Sequence, residues 1–320
     1  MQSIQTSHLF RLTSVKPLEG LLKYRQYCME ATKKTLAKSS QKRRLSPIDE
    51  TPLEPWADLD GLEYFRCPKT GSLFLGEMAS PEHWKILLEE LAQYRYSKGF
   101  HKEIRQQRLE NVYAPKIAWI ENSLRLHGLK KAHLLEVTTP PSALTDLLKE
   151  KKFFEEVVNI SEMDMALGNA KIKNADAVIL LESLDRVTLP DQLLKNVYAC
   201  LNPSGLLFVT ALVSSGFDTM VLEKKNAYLY PPDRTNCFSL EGLKKILTRS
   251  GFRLVEVSTP GVLDVEVVQA HLAKGVSPSL STFEQQLFRA DSETILNFQK
   301  FLQQSSMSSF ARIVAVKEER

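Results

Sequence analysis

The chain has 320 residues, of which 43% are hydrophobic and 25% are charged, as in a folded globular protein that needs no covalent staples. No apolar run approaches the ~20 residues of a membrane-spanning helix, and the amino terminus lacks the apolar stretch of a signal peptide. We therefore expect a cytoplasmic protein with no membrane partner. The four cysteines form no CxxC pair, which argues against a disulfide framework or a zinc ribbon.

Positive charge is concentrated in residues 1–50, which hold ten Lys or Arg and four Asp or Glu. The rest of the chain is slightly acidic, so nucleic acid is not an expected partner. Residues 1–54 are predicted to form a basic arm and linker, with an amphipathic helix over residues 18–35. A solvated arm is the simpler interpretation, and an electrostatic contact with an acidic partner is the alternative.

Residues 55–127 are predicted to form a small β-hairpin module and a helical cap. Short β-type runs within residues 58–77 flank a turn at residues 69–71. Apolar residues at helical spacing indicate several helices within residues 81–125. The aromatic residues Tyr94, Tyr96 and Phe100 fit either a lid over a substrate pocket or ordinary packing. His101 and Arg105 follow them.

Residues 128–320 are predicted to form an α/β domain on a mostly parallel sheet. Strands are expected at residues 131–139 and 157–160, and Ser142 is a suitable N-cap for the helix between them. The most regular stretch is 174–211, where an apolar run, a helix that starts at Pro190 and a second apolar run follow one another. Strand, crossover helix and parallel strand form the unit of an α/β sheet.

Further elements of the same domain are indicated towards the C-terminus. A helix is expected over residues 240–249 with Ser239 as its N-cap, a strand over 252–257, and a closing strand over 312–316. Residues 263–268 alternate between acidic and apolar side chains, as a half-exposed strand does. Ligands of such sheets bind beyond the carboxyl ends of the strands, which directs attention to residues 182–186.

The stretch 174–211 resembles the second half of class I S-adenosylmethionine (SAM) dependent methyltransferases. The residues in step with that family are Asp176, Glu182, Leu184, Asp185, Leu201, Pro203 and Gly205. The resemblance covers about residues 131–268, and it implies a three-layer Rossmann-like sheet with SAM as the cofactor. Residues 230–239, 259–268 and 307–310 resemble a subgroup with an N-terminal zinc-ribbon-like module. Cys67 is kept from that module but Thr70 replaces the next cysteine, so we expect no bound metal.

The family's glycine-rich loop is replaced in this chain. The acid that precedes the loop is Glu136, whereas Thr138, Pro140 and Ser142 fill the three glycine positions, which makes the loop bulkier and stiffer. The resemblance implies that SAM is bound by three groups of residues. They are Glu136, Thr138, Thr139 and Ser142 at the methionine part, Asn159 and Ser161 (or Glu162) at the ribose, and Leu181 and Glu182 at the near wall.

The subgroup's two histidines, which accept protons readily near neutral pH, are Arg234 and Phe310 in this chain. Neither replacement accepts a proton. Asp233 is the one candidate base that the sequence names, and Arg234 beside it is a candidate substrate contact. Asp233 and Arg234 are therefore the predicted catalytic residues.

The resemblance implies methyl transfer from SAM to a small metabolite, a sugar or a nucleotide-linked substrate. The alternative is a catalytically inactive methyltransferase-like subunit that serves binding or scaffolding, since the glycines and two histidines are replaced. A protein partner or a homo-oligomer would accompany that role. Nicotinamide binding is disfavoured because no GxGxxG follows a strand.

Overall fold

The computed structural model describes residues 11–98, 102–170 and 172–318. Its helices are α1 (Leu12–Val15), α2 (Leu18–Leu36), α3 (Pro81–Ser97), α4 (Arg105–Arg108), α5 (Ala114–Leu126), α6 (Ala143–Lys149), α7 (Glu162–Leu167), α8 (Pro190–Cys200), α9 (Phe217–Leu222), α10 (Leu240–Arg249), α11 (Asp264–Ala273), α12 (Thr282–Leu287) and α13 (Ser292–Gln304). Its strands are β1 (Gln41–Lys42), β2 (Glu54–Leu59), β3 (Leu62–Arg66), β4 (Leu73–Leu75), β5 (Glu77–Met78), β6 (Ala132–Val137), β7 (Phe154–Ile160), β8 (Ala175–Leu181), β9 (Leu201–Leu212), β10 (Asn236–Cys237), β11 (Phe252–Ser258) and β12 (Phe310–Lys317). A π-helical turn (Leu109–Tyr113) joins α4 to α5, and a 3-10 turn (Glu223–Lys225) follows α9.

The centre of the fold is a six-stranded sheet with the order β11-β12-β9-β8-β6-β7. Strands β7, β6, β8 and β9 are parallel, while β12 runs antiparallel to both β9 and β11. This confirms the α/β class expected from the sequence. The N-cap expectations also hold, because the Ser142 and Ser239 hydroxyls accept the Thr145 and Gly242 amides.

Helices cover both faces of this sheet, so the domain has three layers. Successive side chains of a strand point to opposite faces, and the neighbours Leu134 and Leu135 accordingly belong to two different buried clusters. The cluster with Leu134 packs against α5 and α6, and the cluster with Leu135 packs against α2, α3, α8 and α10. Because both faces of the strands are buried, their sequences are nearly continuous apolar runs.

The predicted arm differs from the structure over its helical part. Helix α2 buries nine residues, and seven of them, among them Leu21, Tyr24 and Cys28, belong to the same cluster as the central sheet. The Tyr24 ring stacks on Tyr94 of α3 with centroids 5.6 Å apart. Its apolar stripe, rather than its basic end, decides where this segment lies, because burying that stripe outweighs hydration of the few lysines.

Two further segments differ from the sequence-based predictions, one in its type of secondary structure and one in its number of strands. Residues 264–273 form helix α11 rather than a strand, and Val265, Val267 and Val268 are buried in it. The predicted hairpin is present as β3 and β4, with Gly71 at φ 73° in the turn, and β2 and β10 extend it to four strands.

Phe100 and His101 lie outside the described residues. None of the helices in the described part of the chain has the length and apolar character needed to cross a membrane.

Candidate functional site

Two cavities lie at the carboxyl edge of the parallel strands. The first has a volume of about 160 Å³ and is here called the loop cavity, because residues 138–142 border it. Six of the eight predicted cofactor residues line it, namely Glu136, Thr138, Thr139, Ser142, Leu181 and Glu182. The second has about 150 Å³ and is called the apolar cavity. Both are lined by Arg108, Lys116 and Glu182, so they share a wall.

The Glu136 carboxylate is buried at the end of β6 and organises the loop behind it. Its two oxygens accept the Ser142 hydroxyl at 3.0 and 3.1 Å, and one of them also accepts the Thr145 hydroxyl. Burial raises the pKa of Glu136 to about 7, against the opposing effect of these hydroxyl donors. The Thr139 hydroxyl donates to Glu162 at 2.6 Å. Side-chain hydroxyls of the loop thus bind the protein itself.

Asn159 and Ser161 lie outside the lining of the loop cavity. The Asn159 side-chain amide donates to the backbone carbonyls of Glu136 and Thr138, which ties the ends of β7 and β6 together. Ser161 caps α7 by accepting the Asp164 amide at 3.0 Å. Both side chains therefore support the loop, and their contact with a ribose stays a prediction.

Glu182 follows β8 in a left-handed conformation, with φ 63°, which is unusual for a residue with a side chain. Its carboxylate accepts the Arg234 guanidinium at 2.8 Å and lies 3.8 Å from the Lys116 ammonium. Strained backbone of this kind concentrates at functional sites. Glu182 is thus held, by two cations, at the wall that separates the two cavities.

Asp233 and Arg234 belong to a buried ion network. Asp233 lies 2.9 Å from Arg95 and 3.5 Å from Arg186, and it accepts the Tyr230 hydroxyl at 3.1 Å. Burial alone would raise the pKa of Asp233, but Arg95 and Arg186 outweigh it and hold that pKa below its usual value. Asp233 lines neither cavity, whereas Arg234 lines the apolar one. The catalytic role of this pair stays a prediction.

Asp218 is a residue that sequence reasoning missed. It lies on α9, is 4% exposed and lines the apolar cavity, where Ser309 donates its hydroxyl to it. Burial, and then the neighbouring Asp264, raises the pKa of Asp218 to about 8. A signal was present in the sequence, because α9 follows the carboxyl end of β9, where ligands of such sheets bind.

Four cations of the apolar cavity were also missed: Lys16, Arg108, Lys116 and Arg312. Lys16 precedes α2, so the segment that was predicted as an arm brings charge to the site. The Lys16 ammonium lies 5.4 Å from the centre of the Tyr228 ring, and the Tyr228 hydroxyl donates to the Lys16 carbonyl. No short sequence motif joins residues that are so far apart in the chain.

The donor set of the loop cavity fits SAM. The methionine part of SAM carries an ammonium and a carboxylate, and its ribose and adenine offer hydroxyls and ring nitrogens. Glu136 supplies an acceptor for a cation, Arg105 supplies a guanidinium for a carboxylate, and Pro141, Leu144 and Leu181 supply apolar surface. The loop of residues 138–142 leaves the space beside it open.

The sequence matches the family model described as "Methyltransferase domain" over residues 85–257, which is more than half of the chain. A comparison with curated proteins gives no match.

Three similar solved structures are methyltransferases. A sarcosine dimethylglycine methyltransferase candidate from Galdieria sulphuraria is 13% identical, with a TM-score of 0.42 over 67% of this chain and 88% of that one. The plantazolicin methyltransferase, solved with a desmethyl-plantazolicin analog and S-adenosylhomocysteine (SAH), is 12% identical, with a TM-score of 0.43 over 75% and 98%. Phosphoethanolamine N-methyltransferase 2 from Haemonchus contortus, solved with SAH, is 14% identical, with a TM-score of 0.37 over 63% and 53%. Similarity at this level says nothing about the substrate.

Proposed function

This chain belongs to the methyltransferase-domain family, and on that premise we propose that it transfers the methyl group of SAM to a small molecule in the apolar cavity. The fold and the domain are those of SAM-dependent methyltransferases, so SAM is the cofactor. The observation that carries the proposal is the pair of cavities that share a wall at Glu182, Lys116 and Arg108. Such a pair offers adjoining places for a methyl donor and a methyl acceptor.

We assign the loop cavity to SAM. Glu136 and Arg105 would hold the charged ends of its methionine part, and Leu181 would border its near side. When bound, SAM supplies a methyl group on a positively charged sulfur, which a nucleophile displaces. The protein's contribution is then to align donor and acceptor and to exclude water from the buried edge of the sheet.

We assign the role of general base to Asp218, where the acceptor group must lose a proton. A base is most effective when its pKa lies near the working pH, and a buried carboxylate with a pKa of about 8 meets that condition. The base named by the sequence, Asp233, has a lowered pKa and is engaged by two guanidinium groups. Arg234 keeps its predicted place as a substrate contact, since it lines the same cavity.

Calorimetric titration with SAM and SAH tests the assignment directly. We expect binding in the micromolar range, and at least ten-fold weaker binding by Glu136→Gln, because that variant loses a charge-assisted contact. The matched control is Glu156→Gln, an exposed residue of the neighbouring strand β7. If the folded protein gives no heat of binding at millimolar ligand, methyl transfer is refuted and the inactive binding subunit is favoured.

A further inference from the structure

Arg312 is a buried cation that makes no direct ion pair within the described part of the chain. Its residue is 6% exposed on β12, and its guanidinium carbon lies 5.3 Å from the centre of the Trp119 ring and 5.9 Å from that of Phe310. Its Nε atom has no hydrogen-bond partner, and within the described ranges no carboxylate lies within 4.0 Å of it. Glu256, which acts on it at longer range, already accepts the Trp119 indole N–H at 3.2 Å.

A second buried cation, Lys116, also contacts the Phe310 ring. The Lys116 ammonium is 5.4 Å from the centre of that ring, and its residue is 7% exposed. Its carboxylate neighbour, Glu182 at 3.8 Å, is closer to Arg234 at 2.8 Å. The pKa of Lys116 is lowered to about 8, chiefly by burial; the attraction of Glu182 opposes this shift, and Arg108, Arg312 and Lys16 add to it.

Cations outnumber acidic groups in the lining of the apolar cavity, which has the five cations Lys16, Arg108, Lys116, Arg234 and Arg312 and the three carboxyl groups Glu182, Asp218 and Asp264. Asp264 accepts Gln299, Ser308 and the Ser309 amide, each at 2.7 Å or less. Burial raises the pKa of Asp218 to about 8. Glu182 is shared between Arg234 and Lys116, and Arg234 also contacts Asp185. A buried, uncompensated cation costs several kcal/mol, so protein interiors rarely keep one unless a ligand completes it.

The same cavity also has an apolar wall, formed by Val112, Leu212, Val262, Leu263 and Val267. From the cavity, its excess of cations over carboxyl groups and this wall, we propose that the methyl acceptor is an organic anion. It carries a carboxylate or phosphate that lies between Arg312 and Lys116 at Phe310, and an apolar body that packs on the valine and leucine side chains. The role of this anion as the methyl acceptor rests on the proposed function, but the anion site itself does not depend on methyl transfer.

Titration of the full chain with matched probes tests the anion site. The probes are benzoate, phenyl phosphate, neutral benzamide and inorganic phosphate at constant ionic strength. We expect benzoate or phenyl phosphate to bind at least ten-fold more tightly than benzamide, and phenyl phosphate more tightly than inorganic phosphate. Equal binding of benzamide and both anions overturns the charged site. Equal binding of the two phosphates overturns the apolar contact. The stronger of the two anions identifies the headgroup.

Variants locate the site. Arg312→Gln removes a charge-assisted contact, so it should weaken anion binding about 10- to 100-fold and leave benzamide binding unchanged. Lys116→Met should do the same, and it keeps the test available if the first variant does not fold. The matched control Arg253→Gln changes an exposed arginine of the adjacent strand β11 and should have no effect. Anion binding that survives both site variants contradicts the proposal.

SAH binding by Arg312→Gln separates the proposed methyl transfer from the proposed anion site. Arg312 lines the apolar cavity but not the loop cavity. We expect unchanged SAH affinity together with lost benzoate affinity. Benzoate binding by a protein that binds no SAH would reject the transferase and retain the anion site. SAH binding without any anion binding would reject the anion site and retain the SAM site.

Discussion

Glu182 shows how single residues at this site combine roles that the sequence presents separately. It ends a strand, adopts a left-handed backbone, accepts Arg234 and Lys116, and lines both cavities. Arg234 in turn reaches both Glu182 and, at 3.2 Å, Asp185. Arg234 thus contacts two buried carboxylates, and its guanidinium cannot accept a proton.

Replacing Asp218 with asparagine tests its role as a base. We expect kcat to fall about 10²- to 10⁴-fold, the usual contribution of a general base. The wild-type rate should rise with pH until Asp218 has lost its proton, near pH 8, and this limb should disappear in Asp218→Asn. Glu223→Gln, an exposed carboxylate just after α9, is the control. An unchanged profile in the asparagine variant would refute the assignment.

Arg234→Gln should destabilise the fold by roughly 3–5 kcal/mol, because it leaves Asp185 buried without its cation and Glu182 with Lys116 alone. Urea denaturation measures this loss. Arg249→Gln breaks an exposed pair with Asp191 and should cost less than about 1 kcal/mol. Similar costs for the two variants would show that the buried network is not the reason for the loss.

At the scale of elements, helix α2 is part of the core although its sequence is basic. Its stripe of buried residues packs on α3, and the chain just before it brings Lys16 to the apolar cavity. The π-helical turn before α5 lies between Arg108 and Lys116, the two cations common to both cavities. Turns of this kind often mark functional sites in helical segments.

A pair of neighbouring leucines on α2 distinguishes a packed helix from an arm. Leu21 is 4% exposed and Leu22 is 43% exposed. Leu21→Ala should therefore cost roughly 2–5 kcal/mol through lost burial and a residual cavity. Leu22→Ala should stay near 0.5 kcal/mol, as surface changes generally do. Chemical denaturation measures both, and equal small values would show that α2 is not packed in solution.

At the scale of the whole molecule, the segments before the sheet close the site. Residues of the N-terminal segment, of α4 and α5, of α9 and of β12 all line the apolar cavity. The small module is tied in as well, because β10 pairs with β4 and the Tyr64 hydroxyl donates to the Arg234 carbonyl at 2.8 Å. The methyltransferase domain and its N-terminal additions therefore share one site.

Removal of residues 1–50 tests this integration. The sequence alone predicts that the fold tolerates the deletion, since these residues look like an appendage. The structure predicts a large fall in melting temperature, or loss of cooperative unfolding, because α2 leaves the core. Thermal unfolding followed by circular dichroism decides between them, and an unchanged melting temperature would return these residues to the status of an arm.

The sequence by itself determined the parallel part of the sheet and the two serine caps. Apolar runs such as residues 177–180 are buried on both faces, and Ser142 and Ser239 cap helices through bonds to residues three positions away, so local pattern is enough. Only the tertiary structure decided the fate of α2, the helical state of residues 264–273, and the meeting of Lys16, Lys116, Asp218 and Arg312. Burial and long-range charge depend on which segments pack together, and no local spacing records that.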